Sequence, residues 1–457
     1  MSEPAAMRDP WGVPELFIVS QTALPAMLYL PGMQGVRFGL RASAFLIPLA
    51  VLAWWYLNRS RFERDTPHPS APWVVAVLCV IALMIFHPLT STAQAGIAQL
   101  ALYLAIASPV FWAPALVRTP TRLRRLMVLL LVCNSVNSAV GVLQVYDPAR
   151  WLPDEFSHIV TQSELGLGPV SYRGASGETI VRPPGLFDTP GAVAGPGSYA
   201  ALLGLIFAAT RFRWWVRLLS LGAAVMGVAA IYLSHVRVSI VIVAAALIAY
   251  GVLLVLQRRF STAAVFATGA GIVLAVGLVL AVGLGGSAIV ARFQTLFEAD
   301  PLTVYYAARG GQLSYALSDS LFDFPFGAGL GRWGMIALYF GRPTLDAPAL
   351  WAEVQIAAWI LDGGVLLVAV YSAALLTAAA AEARAALRSG DRVLTACGAA
   401  VFAANLPSIA LVFTFTPFVT QVGVQYWFLA GALHGVMQHA ARERRVAGWA
   451  ARTGSAA

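Results

Sequence analysis

Apolar residues in this chain gather into long runs with no strand-like alternation, and the polar residues collect in clusters between the runs. A helix needs about 20 mostly apolar residues to cross a bilayer core of ~30 Å. Twelve runs meet that description, near 15–31, 38–57, 72–88, 93–115, 125–146, 193–210, 213–233, 236–256, 262–284, 353–379, 392–414 and 420–440. Pro25 and Pro31 interrupt the first, which leaves a re-entrant path open for it. Glu3, Asp9 and Glu15 precede and enter that run without a basic segment before it, so it does not read as a cleavable leader.

Composition sharpens this picture. Of 457 residues, 59% are hydrophobic and 11% charged, with a mean hydropathy of +0.75. Soluble domains carry roughly a quarter charged residues, so a cytosolic enzyme, a disordered chain and a secreted disulfide scaffold are all excluded. The expectation is an all-α polytopic membrane protein with about 12 transmembrane helices forming one transmembrane domain over 1–457. All 30 basic residues are Arg, which removes every mechanism that needs a lysine, Schiff bases and P-loop NTPases included. Cys79, Cys133 and Cys397 all sit in apolar runs and read as small buried side chains.

The arginines orient the runs. Nineteen of the 30 lie on the connections after the second, fourth, sixth, eighth and tenth runs and in the tail. Among them are Arg59, Arg61, Arg64, Arg118, Arg122, Arg124, Arg125, Arg211, Arg384, Arg388 and Arg444. The positive-inside rule makes that side cytoplasmic, with both termini inside. The charge of +9 is then mostly topology, and nucleic acid is not implied. Two long insertions, 147–192 and 285–351, fall on the opposite side as the first and second periplasmic loops, where function is to be sought. Arg37 and Arg41 break the rule: either the first run does not cross, or these two line a polar cavity.

Candidate chemistry is sparse. The six histidines, including His87, His158, His235 and His434, show no metal-ligand spacing, so neither a metal nor a cofactor is expected. G-A-G-L-G at 327–331 follows no strand and reads as a tight turn into a helix, not a nucleotide loop. Arg237, in S-H-V-R-V-S, stands at the outer end of its run: it is an interfacial arginine reaching for water or a group facing a cavity. Arg309 lies in Y-Y-A-A-R-G-G-Q-L, and two or more arginines facing one outer cavity would hold a pyrophosphate bidentately without a metal. Glu353 opens the tenth run, as a charge complementing a helix N-terminus or as a general base. Asp362, nine residues on, lies on a different face, which argues against a two-carboxylate glycosidase on this helix.

Three strings, in this order and on this side, resemble the O-antigen polymerase and O-antigen ligase superfamily of GT-C type bacterial membrane glycosyltransferases. R-P-P-G-L-F-D-T-P-G (182–191) is similar to the segment leading from a periplasmic loop into the next span. S-H-V-R-V-S is similar to the S-R or T-R motif, and R-G-G-Q-L-S-Y-A-L-S-D-S-L-F-D-F-P-F-G-A-G-L-G (309–331) to the stretch from the second arginine to a P-x-G-x-G-x-G turn. The likeness covers about 140–370, around half the chain. It departs at one place: ligases carry His-Asn eleven residues before a Gly, and counting back from Gly364 gives Glu353 and Val354, with Leu367 where a later Gly is expected.

The resemblance implies a glycan donor on undecaprenyl pyrophosphate and a glycan acceptor, joined at the periplasmic face of the inner membrane by inversion, without metal or nucleotide. Membrane lipid and a chain-length regulator are the other partners it implies. Arg237 and Arg309 would hold the pyrophosphate with Arg182, His235, Arg292 and Arg332 in support, and Glu353 would be the base. With the ligase histidine absent, extension of repeat units is favoured over ligation to another acceptor. A polysaccharide or lipid transporter predicts internal repeats and broken mid-membrane helices, and a non-catalytic assembly component predicts replaceable arginines.

Overall fold

The computed structural model describes residues 10–30, 32–62, 66–152, 171–173, 179–187, 189–210, 212–298, 300–344 and 348–454. Arg64, His158 and Arg211 lie outside the described residues, as does the 153–170 stretch of the first insertion. Each of the twelve apolar runs is helical over most of its length. In chain order the principal helices are α1 (Val13–Ala26), α2 (Arg37–Leu57), α3 (Ala71–Met84), α4 (Ala93–Ala107), α5 (Pro109–Leu116) and α6 (Pro120–Tyr146). After a two-stranded hairpin come α7 (Ala194–Ala209), α8 (Trp214–Leu233), α9 (Arg237–Leu256), α10 (Phe260–Gly285) and the amphipathic α11 (Ser287–Glu298). The last are α12 (Gly334–Phe340), α13 (Gln355–Arg388), α14 (Arg392–Ala410) and α15 (Gln421–Gly454). Side-chain caps start several of them: Thr92 accepts from Ala95 N, Thr119 from Arg122 N, and Asp391 from Val393 N.

Eight of the described helical stretches are long and apolar enough to cross a membrane. Their inner faces close over Trp112, Trp359, Trp427, Tyr103, Tyr371 and Phe428. Their outer faces leave Leu57 and Val279 more than 70% exposed, an apolar surface suited to lipid. The chain is a multi-pass helical membrane protein.

Contacts gather the arginine-bearing connections at one end. Glu15 pairs with Arg122 at 2.8 Å and with Arg125, Gln257 donates to Ala386 O, and Arg444 to Ser389 O. At the far end of α6, Tyr29 donates to Phe187 O and Gln144 to Gly185 O. Helix α1 and its following 3-10 turn therefore run alongside α6 from one end towards the other. Arg41 approaches Met335 Sδ at 3.9 Å, so it faces the second insertion. That insertion lies over this same end: Thr92 donates to Phe340 O and Tyr305 to Phe413 O.

The tenth apolar run is not one continuous helix. Helix α13 breaks at Gly363 and Gly364, the latter at φ 63° and ψ −154°. Into the break runs the turn before G-A-G-L-G: Val365 N donates to Pro325 O, and Ala328 N to Leu361 O. A Cβ on Gly364 would lie 2.0 Å from Pro325 O, and one on Gly329 (φ 90°) 2.4 Å from Leu89 C, so both positions require glycine. Asp362, fully buried beside the break, accepts from Gln99, Tyr103 and Trp333 at 2.7–2.9 Å. It fastens α4, α13 and the loop to one another and is no second carboxylate for Glu353. Gly364→Ala is expected to cost about 3 kcal/mol, read as a lowered melting temperature in detergent; an unchanged melt would show that the break yields freely.

Candidate functional site

Arg182 follows the hairpin of Ser171–Arg173 and Thr179–Val181, paired so that Tyr172 faces Ile180. The chain then folds back on itself, held by Gln144 and Asn137 of α6, which accept from Gly185 N and Leu186 N at 2.9 Å. The return places Arg182 Nε 3.5 Å from Ser234 O, in the turn between α8 and α9.

That turn holds two more expected residues. His235 is buried with a positive φ of 57°, an uncommon conformation for a side chain with a Cβ. Ser234 Oγ accepts from Val236 N and donates to Ile231 O, which fixes the reversal and starts α9 at Arg237. Burial pushes the His235 imidazole down to about 4, helped by the positive charges of Arg292 and Arg182. The ring is therefore neutral at neutral pH.

Arg292 arrives from α11. Ile289 and Phe293, four residues apart, bury one face of that helix against the end of α8, with Phe293 edge-on to Tyr232 at 4.9 Å. Arg292 precedes Phe293 and lies within electrostatic range of both His235 and Arg237.

Arg309 is carried by a helical stretch over 301–323 that alternates between α and π turns. Tyr306–Gly310 and Ala316–Ser320 are its π segments; such widened turns recur at functional sites. Leu313, Ala316 and Leu321 seat this stretch on Val354, Ala357 and Ile360 at the start of α13. Arg309 thereby forms an ion pair with Glu353, which also accepts from Gln312 Nε2 at 3.1 Å. Burial, and secondarily the nearby Arg182, lowers the Arg309 guanidinium from its ordinary value. The two arginine pairs thus meet: Arg182 lies within range of Arg309 and His235, Arg292 within range of His235 and Arg237.

Six of the seven expected residues converge from five segments of the chain: Arg182, His235, Arg237, Arg292, Arg309 and Glu353. Arg332 does not join them. It is 4% exposed and donates to Pro348 O and Ala328 O, clamping the ends of the loop around α12. Gln312, the second partner of Glu353, was missed, although its spacing of three from Arg309 places both on one helix face. Asp323 is exposed and Asp362 is occupied elsewhere. Among the described residues, no group of three or more His, Cys, Asp or Glu side chains is placed to hold a metal ion.

Such a set can bind a polyanion and offers one carboxylate beside it. The fold and site define a multi-pass membrane protein with a guanidinium cluster over one end of its bundle. No family model matches the chain, and no curated protein matches its sequence.

Proposed function

We propose that the protein is a metal-independent, inverting glycosyltransferase that polymerises undecaprenyl-pyrophosphate-linked repeat units at the periplasmic face of the bacterial inner membrane. The observation that carries this reading is the convergence of Arg182, Arg237, Arg292 and Arg309, with neutral His235 among them. Planar guanidiniums grip phosphate oxygens bidentately and stabilise the charge that develops as a pyrophosphate departs.

In the proposed reaction the acceptor hydroxyl oxygen attacks the anomeric carbon of the donor. The carbon–oxygen bond to the pyrophosphate breaks, its electron pair leaves with the phosphate, and configuration at that carbon inverts. Glu353 takes the hydroxyl proton. Glu353 is held by Arg309 and Gln312. A pyrophosphate competes for Arg309, so donor binding would loosen the carboxylate as a base while Gln312 keeps it in place. The same anion site would serve a ligase; Glu353 in place of the histidine favours extension.

The test is reconstitution. Purified protein in vesicles, supplied with undecaprenyl-pyrophosphate-linked repeat units alone, should yield a ladder at multiples of the repeat and release undecaprenyl pyrophosphate. A bound donor that never lengthens would end the polymerase reading.

The proposed orientation places the arginine-rich end in the cytoplasm, as does the distribution of arginine. Cysteines introduced within 150–180 and 295–345 should react with an impermeant reagent in intact spheroplasts. Reaction only after lysis would invert the topology and remove the periplasmic site.

A further inference from the structure

A second basic site lies at the arginine-rich end, far from the guanidinium cluster. A cavity of about 290 Å³ is lined there by the last turns of α13, by α15 and by His68 of the segment before α3. Arg384 and Arg388 line it from one helix face, four residues apart. Both are exposed, and neither has a hydrogen-bond or ion-pair partner among the described residues. Other arginines at this end are held by the protein itself: Arg122 and Arg125 by Glu15, Arg217 by Ala208 O and Arg444 by Ser389 O.

The third polar group of the cavity is buried. His68 is 2% exposed, and its Nδ1 accepts from Ser70 N at 3.1 Å, so Nε2 carries the ring proton. Burial, helped by His434 edge-on at 4.9 Å, pushes the imidazole down to about 3 and keeps it a neutral donor. No acceptor among the described residues takes that proton, and a buried N–H without one is uncommon. Glu382 keeps its carboxyl inside the protein: the residue is 1% exposed, Oε1 accepts from Asn405 Nδ2 at 2.7 Å, and Oε2 is sealed from solvent. No exposed carboxylate therefore stands among the lining residues to receive a cation. Leu433 and Met437 supply an apolar wall. Two guanidiniums and one N–H beside such a wall suit an anion that carries a hydrocarbon part, whereas a zwitterionic headgroup would set its ammonium against the guanidiniums.

We propose that this cavity binds a phosphate diester, gripped by Arg384 and Arg388, with His68 Nε2 donating to one of its oxygens. Basic cavities between membrane helices take anionic headgroups, so the source that fits is an anionic phospholipid with its acyl chains along the apolar outer faces of the bundle.

The test uses the full chain in detergent, exchanged against equal amounts of phosphatidylglycerol, phosphatidylethanolamine and phosphatidylcholine, with retained lipid read by native mass spectrometry. Phosphatidylglycerol should be retained preferentially. Arg384→Ala/Arg388→Ala, altered at exposed positions, should lower that retention about tenfold, the worth of one hydrogen bond to a charged group. Arg59→Ala/Arg61→Ala removes the same charge from the same end, outside the cavity, and should retain the lipid as the wild type does. Should the cavity pair fail to accumulate, Arg388→Gln alone should show a smaller loss in the same direction. Equal retention of the three lipids, or equal losses from the two pairs, overturns the proposal. Inorganic phosphate separates the sources: a melting temperature that it raises in the wild type but not in the cavity pair, without lipid enrichment, overturns the lipid assignment in favour of a free phosphate.

Discussion

Arg309→Ala is expected to lower polymerisation by about 10³–10⁵, the range measured when an arginine is removed from a transferring phosphate. The leaving pyrophosphate gains negative charge as its bond to the sugar breaks, and in the proposed reaction only the clustered guanidiniums meet that charge. Arg309 stands half-buried between Arg182 and Glu353, where water screens it less than on an open surface. Its removal also frees Glu353 from its ion pair. If releasing the base were the dominant effect, Arg309→Ala would be faster than wild type; the prediction is that loss of anion stabilisation wins. Arg237→Ala should behave alike, and lysine at either position should rescue poorly, because a point charge lacks the planar fork. Arg309 is 40% exposed, so Arg309→Ala should still accumulate folded in the membrane. Full-length polymer from Arg309→Ala in reconstituted vesicles would refute its role.

Glu353→Gln is expected to lower the same rate by about 10²–10⁴, the usual value of a positioned base. Glutamine keeps the shape and can still meet Gln312, but it cannot accept the hydroxyl proton and no longer neutralises Arg309. Affinity for the donor should therefore hold or rise while turnover falls, a split that separates a base from a residue that merely shapes the site. The carboxylate's second reading, as a charge at the start of α13, predicts a loss of stability and no loss of rate. Wild-type turnover with a lowered melting temperature would establish that reading instead. Histidine at 353 restores the residue of the ligases in the resembling superfamily and should retain part of the activity.

The helices were legible because a bilayer solvates long apolar runs, and the arginines marked the connections at one end. Part of the candidate cluster was legible as well: Arg237 stands at the end of an apolar run, where a charge is costly unless it faces something polar, and Arg309 lies in a long insertion on the same side. The break at Gly363–Gly364 was hidden: Asp-Gly-Gly inside an apolar run does not disclose that Pro325 enters it from a loop about 40 residues earlier. Arg332 misled for a related reason. An arginine in an outer loop has the same composition signature whether it meets a ligand or, as here, two backbone carbonyls of its own loop. The ion pair of Arg309 with Glu353 depends on how two segments cross, which neither segment's own pattern records.

The π turns of 301–323 make this stretch sensitive to length in a way that its residue identities are not. An α-helix turns by about 100° per residue, so deleting Gly310, the last residue of the first π segment, would swing Arg309 and everything upstream by that angle relative to Gln312. Arg309 and Gln312 now meet one carboxylate, and after such a deletion they could not both do so. A single-residue loss there should therefore damage the site more than many substitutions, whereas the extended stretch 341–344 has no helical phase to lose. Insertions and deletions along this chain sort into phase-breaking and phase-neutral classes, and the boundary between them falls within one loop.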